Sequence, residues 1–105
     1  PDINREDPLV GRVIIATIRF NGRIEGQKDR PCVVIAASGR HHLVVRTCYS
    51  EGGVRAKDFR AIPISDPRAA GLNRQSFVSH EERRIPRSSI KRHLGWLSIT
   101  EWNLL

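Results

Sequence analysis

Methionine is missing altogether, and cysteine is scarce: two in 105 residues, Cys32 and Cys48. With Pro1 leading and no methionine anywhere, the natural start is expected to have been removed. Each cysteine sits in an apolar, strand-like run, so neither a disulfide framework nor a zinc-ligand spacing is present. Buried free thiols in a reducing cytoplasm are the expectation. No run reaches the roughly 18 apolar residues that a membrane span requires. No charged segment followed by an apolar stretch opens the chain, so no secretion signal is expected. A glycine-rich phosphate or dinucleotide loop is also missing, and no cofactor is expected. There is no serine in a glycine elbow, and His80-Glu81-Glu82 lacks the second histidine of a zinc protease. The histidines His41, His42, His80 and His93 fall at no metal-ligand spacing, so no metal is expected.

Acidic residues are the other shortage. Lys and Arg number 18 against 11 Asp and Glu, a formal charge of +7, and the sequence pI is near 10.7. A small, strongly basic domain points to a polyanionic partner, nucleic acid first. An acidic, disordered protein segment suits the same charge.

The length allows one small domain with one modest core. Residues 1–9 are polar and read as a flexible arm, leaving 10–105 as a single domain. Residues 10–20 alternate Ile14, Ala16, Ile18 and Phe20 with Val13, Ile15, Thr17 and Arg19. Both faces begin apolar, so this strand is expected to be central. Asn21-Gly22 signals a turn, and residues 21–30 read as a charged loop. Residues 32–37 form a second strand, with Pro31 at its start where no ladder donor is needed. A turn at Ser38-Gly39-Arg40 leads to a third strand, His42 to Tyr49, in a hairpin with the second. Phe59 to Ile64 is a fourth strand, and Pro63 puts it at an edge. Ser76 to His80 is a fifth, with Arg83 to Ile85 as a continuation. Ser88 predicts a short helix closed by Gly95, with Ile90 and Leu94 on one face. Ser98-Ile99-Thr100-Glu101 predicts a second helix near Ile99. Trp96 and Trp102 are expected in core or dimer contacts around these helices. The fold class is mainly β: a small barrel of about five to seven short strands with short C-terminal helices.

An enzyme that acts on a polyanion without a metal most plausibly cleaves RNA, because the ribose 2′-hydroxyl is a built-in nucleophile. The protein then supplies a base, an acid and a fixed cation for the developing phosphorane charge. Arginine suits the last role, since its fork binds phosphate oxygens and stays protonated. Arg30, at the end of a polar loop braced by Pro31, is the first candidate; taken alone it reads sooner as a surface partner of Asp29 or Glu25. Arg83, Arg84, Arg87, Lys91 and Arg92 form a dense basic run, either a solvated face or a phosphate-positioning surface.

Three elements stand in a suggestive order: the strand opened by Gly11, the Asp29-Arg30-Pro31-Cys32-Val33-Val34-Ile35 stretch, and Gly71-Leu72-Asn73-Arg74-Gln75-Ser76-Phe77-Val78. Together with the tail Arg84-Ile85-Pro86 to Leu94-Gly95-Trp96-Leu97, they resemble the MazF/PemK family of toxin endoribonucleases. The resemblance spans nearly the whole chain. It implies an SH3-like barrel, a homodimer, single-stranded RNA as substrate, cleavage without metal, and inhibition by an acidic antitoxin. It makes Arg30 the catalytic cation. The family's Pro-x-Thr element is altered here: Arg46 stands for the Pro, Cys48 for the Thr, and Thr47 comes one residue early. Thr47 and Cys48 are therefore both candidate catalytic residues, together with Glu81, which stands where some relatives carry an acid. Arg23, Glu25, Lys28, Arg46 and Tyr49 are the candidate RNA-binding residues, with Tyr49 able to stack on a base. Base preference is expected to reside in loops 21–29 and 50–58. Two other readings share the barrel: a CcdB-like gyrase-inhibiting toxin with no need of Arg30, and a noncatalytic nucleic-acid-binding module.

Overall fold

A run of β-branched residues with no polar face cannot sit at the surface of a sheet, and this governs how the chain folds. The computed structural model describes residues 3–19, 27–50 and 61–98. The expected turn at Asn21-Gly22, both candidate loops in large part, the helix near Ile99, and Arg23, Glu25 and Trp102 lie outside the described residues. The strands are β1 (Ile3–Asn4), β2 (Arg12–Arg19), β3 (Gln27–Ser38), β4 (His42–Ser50), β5 (Ile62–Pro63), β6 (Ser76–Pro86) and β7 (Ile90–Trp96). They form one antiparallel sheet in the order β5-β6-β4-β3-β2-β7, with β1 added on β3.

Two apolar clusters follow from strand alternation. Ile14, Ala16 and Ile18 of β2 pack with Cys32, Val34, Leu43, Val45 and Ile85 on one face. Val13, Val33, Ile35, Cys48, Val78 and Leu97 pack on the other. β2 is central as expected, flanked by β3 and β7. The β3–β4 hairpin forms at Gly39, which turns with φ +66°. Pro63 lies in the two-residue edge strand β5. The sheet curls until β2 and β6, separated by β3 and β4 in strand order, approach each other: Arg83 Nη1 donates to the Arg19 carbonyl at 3.1 Å.

Two expectations are corrected. The segment predicted as a helix from Ser88 to Gly95 is a single 3-10 turn, Arg87–Ser89, followed by strand β7. Its ladder with β2 skips a residue on β7 twice, between Ile90 and Arg92 and between His93 and Gly95. Such bulges break strict alternation, so Ile90 packs on one cluster and Leu94 on the other. The i, i+4 spacing that suggested a helix is a product of the bulges. The charged stretch before Pro31 is also not all loop: β3 begins at Gln27, so Arg30 lies within a strand, opposite Ala16. Thr17 secures this extension by donating to Asp29 Oδ1 at 2.7 Å.

The polar N-terminal segment is tied down at several points. Ile3 and Asn4 pair with Ser38 and Ala37. Asp7 accepts from the Leu9 N–H at 3.0 Å and from Arg87 Nη2 at 2.8 Å. The Arg87 contact first, then the Leu9 N–H, hold its carboxyl below the usual carboxylate range.

Leu43 is fully buried within the first cluster. Leu43→Ala is expected to cost about 2–5 kcal/mol of unfolding free energy, read from the urea midpoint.

Candidate functional site

Where β3 and β4 part company, the sheet opens a cleft. Their last pair is Cys32↔Thr47. Beyond it Arg30 and Pro31 of β3 and Cys48, Tyr49 and Ser50 of β4 line an opening of about 400 Å³, with Leu72, Asn73, Arg74 and Ser76 on its far side. Pro31 sits where the ladder to β4 has already ended, so its missing N–H costs no bond there. The Arg30 guanidinium lies 5.7 Å from the Tyr49 ring centroid, a cation–π contact that orients both side chains.

Arg74 reaches the cleft on a loop that two glycines hold against β7. The loop is internally bonded, with Gly71 N–H to the Arg68 carbonyl at 2.9 Å and Leu72 N–H to the Pro67 carbonyl at 2.8 Å. Gly71 has φ +79°, and a Cβ there would stand 2.6 Å from the Leu94 carbonyl oxygen. A Cβ on Gly95 would collide with the Ala69 carbonyl. The Trp96 N–H donates to that same carbonyl at 3.3 Å. Beyond the loop, Gln75 Nε2 donates to the Ile64 carbonyl at 2.8 Å, and Ser76 Oγ to the Arg74 carbonyl at 3.0 Å. Backbone contact therefore sets where Arg74 begins.

Of the residues singled out from sequence, the cleft unites Arg30, Cys48 and Tyr49. Thr47 does not line it; it is buried and pairs with Cys32. Cys48, one residue on, turns to the opposite face and packs with Val33, Ile35 and Val78 at the back of the cleft. Glu81 is exposed and lies outside the lining, on a stretch of β6 that bulges opposite Thr47. Its N–H donates to Ser79 Oγ at 3.1 Å. Arg46 pairs with Glu82 at 3.5 Å, and Lys28 is exposed on β3 opposite Ile18. Neither lines the cleft. Trp96, expected in core or dimer contacts, is 45% exposed on β7 with the Arg12 guanidinium 4.8 Å from its ring centroid. The sequence reading missed Asn73 and Arg74 as cleft residues, although both lie inside the Gly71-to-Ser76 stretch that carried the resemblance.

Both cysteines are free thiols. Burial pushes the Cys32 thiol up to about 12, against the opposing pull of Arg30 and then Arg83. Its Sγ donates to the Arg30 carbonyl at 3.5 Å. Burial raises Cys48 as well, with Cys32 adding to the effect. Cys48 therefore stands at the back of the cleft as a protonated thiol rather than as a thiolate nucleophile. Among the described lining residues there are two arginines and no carboxylate. Such a cleft attracts anions and can hold phosphate oxygens.

No protein-family profile matches the sequence, and no curated protein matches it. Solved structures do. The architecture is that of a MazF toxin, a small antiparallel β barrel. The toxin MazF-mt6 of Mycobacterium tuberculosis superposes with a TM-score of 0.64 at 20% sequence identity, covering 90% of this chain and 87% of that one.

Two predictions follow from this geometry. Gly95→Ala is expected to lower stability by about 1–3 kcal/mol, because the loop carrying Arg74 must lift off β7; urea unfolding measures it. The second concerns pH. The folded thiols hold their protons above the ordinary value of 9.0, so the unfolded chain ionises first as pH rises past it. Stability from this source is complete below that value and falls above it, by up to about 1.4 kcal/mol per pH unit for each thiol. Wild type should therefore lose stability faster above pH ~9 than a Cys32→Ala/Cys48→Ala variant. Parallel pH profiles would show that the thiols are not buried.

Proposed function

We propose that this chain is a toxin endoribonuclease that cuts single-stranded RNA without a metal ion and is held in check by an acidic antitoxin. The observation that supports this best is the placement of Arg30: a half-buried guanidinium fixed on a strand, oriented by Tyr49 and faced by Arg74, in a protein with the fold of a MazF toxin. The net charge of +7 supports a polyanionic substrate.

In this reading a phosphodiester enters the cleft with its phosphate against Arg30. The ribose 2′-oxygen attacks the adjacent phosphorus, its proton leaves, and the 5′-oxygen departs with a proton gained. The products are a 2′,3′-cyclic phosphate and a free 5′-hydroxyl. Arg30 stabilises the phosphorane, whose extra negative charge develops only at that stage, so its contribution is to the transition state. A strand-borne guanidinium needs little reorganisation at that moment. Arg74 supplies a second positive charge from the opposite wall. Tyr49 orients Arg30 and offers a face for a base. Cys48 stands where the resembling family has a hydroxyl, and its buried, protonated thiol closes the back of the cleft. Glu81, outside the lining, serves RNA positioning or structure rather than proton transfer in the cleft. A second copy of the chain would complete the RNA groove. A gyrase-inhibiting toxin of the CcdB type would have no use for the cations facing this cleft.

The test is a long single-stranded RNA incubated with the protein in EDTA. Discrete fragments ending in cyclic phosphate are expected, and Arg30→Ala should slow their formation by about 10²–10³-fold while keeping the fold. Intact RNA from folded wild type would sink the proposal.

A further inference from the structure

A second cleft, larger than the first at about 540 Å³, opens at the end of the barrel where β2 and β6 approach. Thr17, Ile18 and Arg19 line one side; Arg83, Arg84, Ile85, Pro86 and Ser89 line the other. It shares no lining residue with the cleft around Arg30. Three arginines, two hydroxyl side chains and an apolar floor line it, with no carboxylate among the described lining residues; at its edge the Thr17 hydroxyl donates to Asp29.

The arginines are not all loose surface charges. Arg83 is half-buried and bridges to the Arg19 carbonyl, and Arg84 Nε donates to Ser38 Oγ at 3.1 Å. These contacts hold two guanidinium groups in place, Arg83 through Nη1 and Arg84 through Nε. Val45↔Arg83 register puts the Arg83 side chain on the Cys32 face of the sheet. Ala16↔Arg30 register puts Arg30 on that same face, so the two clefts present cations on one side of the sheet.

Resting on the ribonuclease reading, we propose that this arginine cleft is an exosite that grips the phosphodiester backbone of the RNA strand away from the scissile bond. Phosphates entering it meet guanidinium forks, while Ile18, Ile85 and Pro86 carry the sugar edges. No aromatic side chain lines it among the described residues, so it holds RNA without reading bases. Arg30 and Arg83 share the Cys32 face of the sheet, which favours a strand that reaches both clefts over a separate acidic peptide.

Arg19→Gln is the clean variant, because the Arg19 backbone carbonyl that accepts from Arg83 is retained. Binding is measured by fluorescence anisotropy with uncleavable 2′-O-methyl oligonucleotides of 4 and 12 nucleotides. In wild type the longer strand should bind more tightly, and in Arg19→Gln most of that gain should vanish, about a five- to tenfold loss. The slope of log K against log salt for the longer strand should shrink by about 0.7, one single-strand phosphate contact. Arg83→Lys should act in the same direction with the fold intact by circular dichroism. An unchanged length dependence in both variants overturns the exosite. So does an equal loss for both lengths, which would put Arg19 in the first cleft. Equal weakening of polyglutamate binding overturns it too, since the cleft would then be a general polyanion surface. Loss of the length gain in Arg19→Gln alongside no RNA cleavage by wild type would keep the exosite and reject the ribonuclease reading.

Discussion

The β2–β3 ladder is the constraint from which the rest follows. It runs from Val13↔Val33 to Arg19↔Gln27 without interruption. Its first half, Val13 to Ile15 against Pro31 to Val33, is apolar on both faces, so the pair can be buried only if the sheet is covered on both sides. Two clusters achieve this. The ladder also continues past the point where β3 leaves β4. That overhang carries Arg30 into the open while keeping its backbone paired to Ala16. A cation is thereby delivered to a cleft by a strand paired to β2 from Gln27 to Val33.

Electrostatics adds to what geometry begins. Seven net positive charges on a chain of 105 residues raise the local concentration of any polyanion. Within that general field the fold places arginines in two clefts and pins two of them, one by a backbone carbonyl and one by a serine hydroxyl. The thiols lie beneath. Burial keeps both neutral, outweighing the pull of Arg30 and Arg83 on Cys32, so no negative charge forms there at neutral pH.

Much of the fold was legible because burial writes itself into alternation. Val13 and Ile14 announced a central strand, Gly39 a hairpin, and Pro63 an edge. The C-terminal strand was not legible, since two bulges against β2 convert its alternation into a spacing of four. The first half of β3 was hidden as well: Lys28 and Asp29 read as loop, and the Thr17–Asp29 bond that holds them in the sheet is a long-range contact. At the site, Arg30 and Tyr49 could be found by their neighbours in sequence. Arg74 could not be placed, because its position depends on Gly71 and Gly95 allowing backbone to touch backbone. The choice between Thr47 and Cys48 needed the register, which buries the first beside Cys32 and turns the second to the rear of the cleft.

The ends of the strand order carry a consequence for solubility. An open sheet edge is a template for pairing with other chains, and this sheet, apolar on both faces, would be prone to it. One edge is β5, two residues long and carrying Pro63. The other is β7, with Lys91, Arg92 and His93 exposed along it, two bulges in its backbone and the Ala69–Gly71 loop laid against its far end. Among the described residues, neither edge offers the flat, uncharged stretch on which fibrils grow. Bulges that disguise β7 in the sequence thus help keep a highly apolar sheet from self-association.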